Sequence, residues 1–230
     1  MTVLDDGLVS GPSRTTADLR PLMSTVERSG CPAVMAYPGF FRHHLSWHSP
    51  LARIVNVTAS TELGGVTAKS LVFDPIEAVR CSAEAVAVHV SLGTTDEGRM
   101  LANLADAITG AHSLGIPVLA AAYARDPAGL PLMDGAKQAH AARCVVELGA
   151  DLVKSPWPGD AAGMAKVVDA AWPVPVLLAG GPPGSDEETV RMVRSSQEVG
   201  GAGVCFGRRL LASPDTAALT ERIAEVLSGS

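Results

Sequence analysis

Aromatic residues are scarce, at 4% of the 230 residues, so the core cannot be organised around large rings. With 47% apolar residues, it must be built from Ala, Val, Leu and Ile, a composition that suits strands covered on both faces by helices. Long hydrophobic runs are also missing, none reaching the length needed to span a membrane, and no signal peptide opens the chain. A soluble, cytoplasmic protein is expected. Basic clusters are absent and the net charge is −6, which argues against nucleic acid as a partner. There is no C-x-x-C pair and no Cys/His cluster. Cys31, Cys81, Cys144 and Cys205 lie scattered in apolar stretches, where reduced thiols act as small hydrophobes, and no metal site is expected. Lysine is rarest among the charged residues. Only Lys69, Lys137, Lys154 and Lys166 could serve a lysine mechanism.

Short apolar stretches alternate with longer amphipathic ones along the whole chain, the pattern of βα units and a parallel sheet. Strands are expected at 2–5, 31–37, 53–58, 85–90, 116–123, 151–153, 175–179 and 202–206. Helices are expected from about residue 15 to Gly30, after Asp74-Pro75, and over 96–114, 133–148, 160–171, 186–199 and 217–227. Ser13, Thr15 and Thr16 are candidate caps for the first of these. Eight strands with mostly helical crossovers predict one (β/α)8 TIM barrel domain over 1–230, with a doubly wound open sheet as the alternative. In such a barrel the chemistry sits at the C-terminal strand ends. Period-two counting places Val3 with Asp5, Leu119 and Ala121 with Tyr123, and Leu152 with Lys154. One choice of face therefore turns Asp5, Tyr123 and Lys154 into the same mouth.

Two stretches carry the chemistry. Residues 149–160, GADLVKSPWPGD, read as a buried strand that ends in Lys154 and turns into a Pro/Gly loop. Burial disfavours an ammonium, so the pKa of such a lysine falls and the free amine becomes a nucleophile for a carbonyl. The plain alternative is a strand-end lysine reaching solvent. The second stretch is paired: Gly180 and Gly181 follow the seventh strand, and Gly207 and Arg208 the eighth. Loops in these positions hold a phosphate in many barrels, glycine allowing close backbone approach and arginine supplying charge. Ordinary turn glycines and a helix-capping arginine are the competing reading.

GADLVKSPWPGD (149–160) resembles the Schiff-base lysine strand of the archaeal-type class I fructose-bisphosphate aldolases. That family includes 2-amino-3,7-dideoxy-D-threo-hept-6-ulosonate synthase and the related amino-dihydroxy-oxoheptanoate phosphate synthases, and is grouped with the deoxyribose-phosphate aldolases. LLAGGP (177–182) and GGAGVCFGR (200–208) are similar to its phosphate-binding loops. LDDGLVSGP (4–12), NVTASTEL (56–63), AVHVSLG (87–93) and AAYAR (121–125) resemble its first, third, fourth and fifth strands. The resemblance implies Lys154 as Schiff-base nucleophile, Tyr123 as proton carrier and Asp5 as acid or base near the substrate hydroxyls. It further implies phosphate binding by Gly180, Gly181, Gly207 and Arg208, with His89 and Asp6 beside the substrate. No metal or cofactor is required, and a homo-oligomer is implied. Three stretches depart from the pattern: Asp6 replaces a histidine, Tyr37-Pro38-Gly39 a His-Lys-Gly, and Ser155-Pro156-Trp157 a Thr-Pro-Tyr or Thr-Ser-Tyr. A segment that leads into the first strand in the family is not expected here.

The function so implied is a class I aldolase or aldol-type synthase, forming or cleaving a C–C bond on a phosphorylated ketose or dihydroxyacetone phosphate-like donor. A biosynthetic direction, with a small acceptor aldehyde such as aspartate semialdehyde, is preferred. The alternatives are a non-catalytic barrel that binds a sugar phosphate, and an isomerase or acyl transferase acting on a phosphorylated ketone. His43, His44 and His48 are assigned to a solvated or substrate-rim role, His89 either to the mouth or to the core, and Trp47 and Trp157 to a pocket wall.

Overall fold

The computed structural model describes residues 1–11, 19–65 and 67–229, with the side chains of 19–22 left aside. The candidate caps Ser13, Thr15 and Thr16 lie outside the described residues. Ten strands are seen: β1 (Thr2–Val3), β2 (Ala33–Ala36), β3 (Ala52–Asn56), β4 (Thr58–Ala59), β5 (Ser70–Leu71), β6 (Ala85–Leu92), β7 (Val118–Ala124), β8 (Leu152–Pro156), β9 (Val176–Ala179) and β10 (Gly203–Cys205). Eight form one parallel sheet in the order β1-β2-β3-β6-β7-β8-β9-β10. A parallel bridge between Thr2 and Phe206 brings the last strand back to the first. Val3 N donates to Phe206 O (2.8 Å) and Phe206 N to Met1 O (3.1 Å), closing the cylinder. The eight-stranded barrel expected from the alternation is the fold.

Among the described residues the helices are α1 (Asp6–Ser10), α2 (Leu19–Arg28), α3 (Pro38–His44), α4 (Ile76–Arg80), α5 (Glu97–Ser113), α6 (Gly135–Glu147), α7 (Ala161–Ala171), α8 (Asp186–Glu198), α9 (Arg208–Leu211) and α10 (Thr216–Ser228). Side chains start the later ones. The Asp134 carboxylate accepts from Ala136 N and Lys137 N, that of Asp160 from Gly163 N, and that of Asp215 from Ala218 N. Ser185 and Glu188 form a reciprocal capping box at α8. Alternation along the strands gives two cores. Outward residues such as Val86, Val88, Val118, Ala120, Val153 and Leu178 pack on the helices. Inward residues Val3, Ala33, Met35, Ile54, Ala85, Ala87, Leu119, Leu177 and Cys205 fill the cylinder. Neither core needs many aromatics.

The expected helix after Pro75 is the short α4, capped by Pro75 itself. The segment between Phe40 and Pro50 begins as helix α3, opened by Pro38 in its first turn. The antiparallel pair β4–β5, with Thr58 opposite Leu71 and Ala59 opposite Ser70, is absent from the sequence reading. Strands of two residues are too short to show a period. Helices α6 and α7 meet glycine on glycine: a Cβ on Gly135 would lie 2.4 Å from Gly163 Cα. Gly135→Ala is expected to destabilise the fold by about 1–3 kcal/mol, read as a lower urea midpoint at constant slope.

Candidate active site at the barrel mouth

Lys154 is the centre of the mouth. It lies inside β8, opposite Ala121 of β7 and Leu177 of β9, and is 9% exposed. The strand does not end at the lysine as expected; it continues to Pro156. Burial disfavours its ammonium, but Cys205, Tyr123, Asp5 and Asp6 outweigh burial and hold its pKa above the ordinary lysine value. Burial therefore does not act alone on this amine. Period-two counting could show which residues share the face of Lys154, but not that Asp6, the first residue of α1, would also act on it through space. Cys205, on β10 and 1% exposed, neighbours Lys154 and donates from Sγ to Met1 Sδ (3.6 Å), while burial pushes its own pKa up.

Asp5 is the residue before α1 and Asp6 opens it. Asn56 holds Asp5, its Nδ2 donating to Asp5 Oδ2 (2.9 Å). Asn56 Oδ1 accepts from Thr58 N (3.1 Å), and Thr58 Oγ1 in turn accepts from His89 N (2.9 Å). Tyr37 OH donates to Thr58 O (3.0 Å), so the tyrosine found in place of a family histidine is tied to the same network. Burial and the neighbouring Asp5 raise the pKa of Asp6, against the pull of Arg208, Lys154 and Lys69.

On the far side of Lys154, His89 and Tyr123 stack face to face with ring centroids 4.7 Å apart. The Arg125 guanidinium lies over the tyrosine ring at 5.2 Å. Burial, with Lys69, Arg125 and Lys154 nearby, keeps His89 well below the ordinary histidine pKa, so it is a neutral imidazole. Its Nε2 meets Ser91 Oγ at 3.3 Å. His89 is thus both at the mouth and satisfied.

The glycine loops show two constraints. A Cβ at Gly180 would sit 3.0 Å from the Phe206 ring, and one at Gly207 2.7 Å from Val3 O, so both permit close packing of backbone. Gly181 has φ +65° and is exposed. Arg208 is exposed, whereas Arg209, which the sequence reading passed over, donates from Nε to Gly180 O (2.7 Å) and locks the two loops together. A cavity of 730 Å³ opens beside the mouth, lined by Asp5, Asp6, Tyr37, Phe40, His43 and Arg208 among others. His44 also borders it, whereas His48 does not. Neither Trp47 nor Trp157 forms its wall. Trp47 is 62% exposed and lies over Arg53, and Trp157 packs on the outer core. Among the described residues no group of His, Cys, Asp and Glu is arranged to hold a metal.

The sequence reading named Lys154, Tyr123, Asp5, Asp6 and His89 as site residues, and the fold brings them together. It missed Asn56, Cys205, Arg125 and Lys69, none of which lies in a motif that spacing alone would flag. Because Asp6 helps keep Lys154 protonated, Asp6→Asn should lower the lysine pKa. The pH midpoint for Lys154 carbamylation by cyanate, read by peptide mass, is expected to move to lower pH. A fixed midpoint would exclude Asp6 from that role.

A family model described as DeoC/LacD family aldolase matches residues 1–213. The chain is 35% identical over 225 residues to 2-amino-3,7-dideoxy-D-threo-hept-6-ulosonate synthase of Halobacterium salinarum, covering 97% of this chain and 84% of the relative. It is 34% identical over 230 residues to 2-amino-4,5-dihydroxy-6-oxo-7-(phosphonooxy)heptanoate synthase of Streptomyces griseus, covering 99% and 84%. Among solved structures, a Schiff-base-forming fructose-1,6-bisphosphate aldolase superposes with a TM-score of 0.91 at 25% identity, covering 98% of this chain and 92% of that one. With the family match running from the first strand past the last, the chain belongs to the DeoC/LacD family of aldolases.

Proposed function

We propose that this protein is a class I aldolase or aldol-type synthase that uses Lys154 to form a Schiff base with a phosphorylated ketone. The observation that carries the reading is a buried lysine inside the barrel mouth, enclosed by Asp5, Asp6 and Tyr123, with the Gly180–Gly181 and Gly207–Arg208 loops on the adjacent strands. The names of the relatives support it, since one similar structure is called Schiff-base-forming and two relatives are synthases of oxo acids.

The ammonium first gives up a proton to the surrounding carboxylates, Asp6 among them, whose affinity for a proton is raised by burial and by its neighbour Asp5. The amine then adds to the ketone carbonyl, and the resulting carbinolamine loses water to give an iminium. That iminium accepts the electron pair of the adjacent C–C or C–H bond, so an enamine forms without a metal. Addition of the enamine to an aldehyde makes the new C–C bond, the aldehyde oxygen takes a proton from a site acid, and water releases the lysine. Tyr123 and Asp5 are the proton carriers of this scheme. Gly180, Gly181, Gly207 and Arg208 receive the donor phosphate, with His89 beside the substrate as a neutral hydrogen-bonding partner. The synthase direction is preferred because both curated relatives are named for the compound they make. A homo-oligomer in the cytoplasm completes the reading; among the described residues no helix is long and apolar enough to cross a membrane.

One observation favours a second reading. A buried lysine whose neighbours hold its pKa above the ordinary value also suits a barrel that binds a sugar phosphate through an ion pair and never turns it over. Borohydride reduction in the presence of dihydroxyacetone phosphate, followed by intact mass, decides between the two. The aldolase reading expects a reduced adduct that disappears in Lys154→Ala. It also expects Tyr123→Phe to lower the rate of adduct formation by roughly 10²–10⁴-fold. Ligand-induced thermal stabilisation with no adduct would select the binding protein.

A further inference from the structure

The scheme above leaves one buried lysine without a task. Lys69 is 7% exposed, and its ammonium makes no hydrogen bond or ion pair with any described residue. Only its backbone is tied down, Lys69 N donating to Thr67 O (3.1 Å) and Lys69 O accepting from Asn103 Nδ2 (3.3 Å). The next residue enters β5, whose partner β4 is bound through Thr58 to Asn56 and His89. Lys69 is therefore delivered to the mouth by the hairpin.

A second cation meets it there. Arg125 follows β7 directly, donating from Nε to Ser91 Oγ (3.0 Å) and from Nη1 to Gly129 O (2.8 Å). Its Nη2 has no partner among the described residues, and no carboxylate pairs with the guanidinium. The loop of Arg125 abuts that of Lys69, since a Cβ on Gly129 would lie 2.7 Å from Thr67 Cγ2. Burial pushes the pKa of both cations down, and Asp5 and Asp6 counter this at Lys69 only through space, without an ion pair. A buried lysine and a half-buried arginine, neither paired with a carboxylate among the described residues, are costly unless a ligand supplies the missing charge.

Their place around the cylinder says which part of a ligand they face. In the sheet order, Arg125 follows β7, Lys154 is on β8, and the glycine–arginine loops follow β9 and β10. A substrate held by its phosphate at the last two strands and by its ketone at Lys154 extends its other end toward Arg125 and Lys69. The product for which the Streptomyces griseus relative is named has this layout, a phosphate at carbon 7, a ketone at carbon 6 and a carboxylate at the opposite end.

We propose that Lys69 and Arg125 form a second anion subsite, which binds the carboxylate of the acceptor aldehyde across Lys154 from the phosphate loops. The assignment of this ligand to the acceptor rests on the aldolase reading of Lys154. Calorimetric titration with succinate, which forms no Schiff base, tests the subsite alone. Succinate should bind the wild type, and Lys69→Met should weaken it by about 10–100-fold, the usual effect of losing a charged hydrogen-bond partner. Lys69→Arg, which keeps the charge, should retain most of the affinity and guards against a general loss of fold. With dihydroxyacetone phosphate as donor, the wild type should prefer succinic semialdehyde over its uncharged amide, and Lys69→Met should bring the two toward equality. Equal succinate affinity in wild type and Lys69→Met, or none in the wild type, would overturn the proposal. So would a Lys69→Met protein that keeps the preference for the acid but forms no borohydride-trapped donor adduct, because Lys69 would then serve the amine. A wild type that binds succinate but traps no donor would sink the aldolase reading and leave the anion subsite standing.

Discussion

Closure of the cylinder is the constraint on which the site depends. β1 contributes only Thr2 and Val3, yet it joins β2 on one side and meets Phe206 on the other. Without those few backbone hydrogen bonds, Asp5 and Asp6 would hang from a free sheet edge. With them, the two carboxylates arrive beside Arg208 and close enough to act on Lys154. Gly207 belongs to the same seam, because any side chain there would collide with Val3 O. A glycine that reads as a phosphate-loop residue is thus also a condition for joining the first strand to the last.

The mouth balances charge across its diameter. Asp5 and Asp6 stand on the β1 side, Lys69 and Arg125 on the hairpin and the β7 loop, and Lys154 between them. Desolvation works against every one of these ions whose pKa is displaced, and the direction each takes depends on its neighbours. At Lys154 the neighbours outweigh burial and hold the pKa up, while at Lys69 burial comes first and lowers it, with Arg125 and Lys154 adding to the fall and Asp5 and Asp6 opposing it. Burial alone is a poor guide to the protonation of a lysine in such a setting.

Much of this was legible in the sequence. The (β/α)8 architecture followed from alternating periodicity, and the shared face of Tyr123 and Lys154 from counting by twos, whereas the expected first strand stops at Val3 and Asp5 lies beyond it in helical backbone, out of reach of that count. Lys69 was counted among four lysines and given no role, since a loop residue with no periodic neighbours carries no local sign of burial. Arg125 shows in the sequence only as the end of a strand motif. Cys205 reads as a core residue, correctly for its burial, but its nearness to Lys154 joins β8 and β10 and has no trace in either strand alone. Trp47 misled because its size suggested a wall, whereas the side chain lies in the open over Arg53. Local patterns report the scaffold; long-range pairings decide the electrostatics.

The hairpin has a consequence for how such a protein can change. β4 and β5 are not part of the cylinder, and Thr58 anchors them to it through its bonds to Asn56, His89 and Tyr37. Chain between that anchor and β5 can be lengthened, shortened or recharged without breaking a rung of the eight-stranded ladder. With the roles proposed for Lys154 and Lys69, chemistry at the lysine and choice of co-substrate would be separable traits, written in different parts of the polypeptide, and lineages could exchange the second while inheriting the first unaltered.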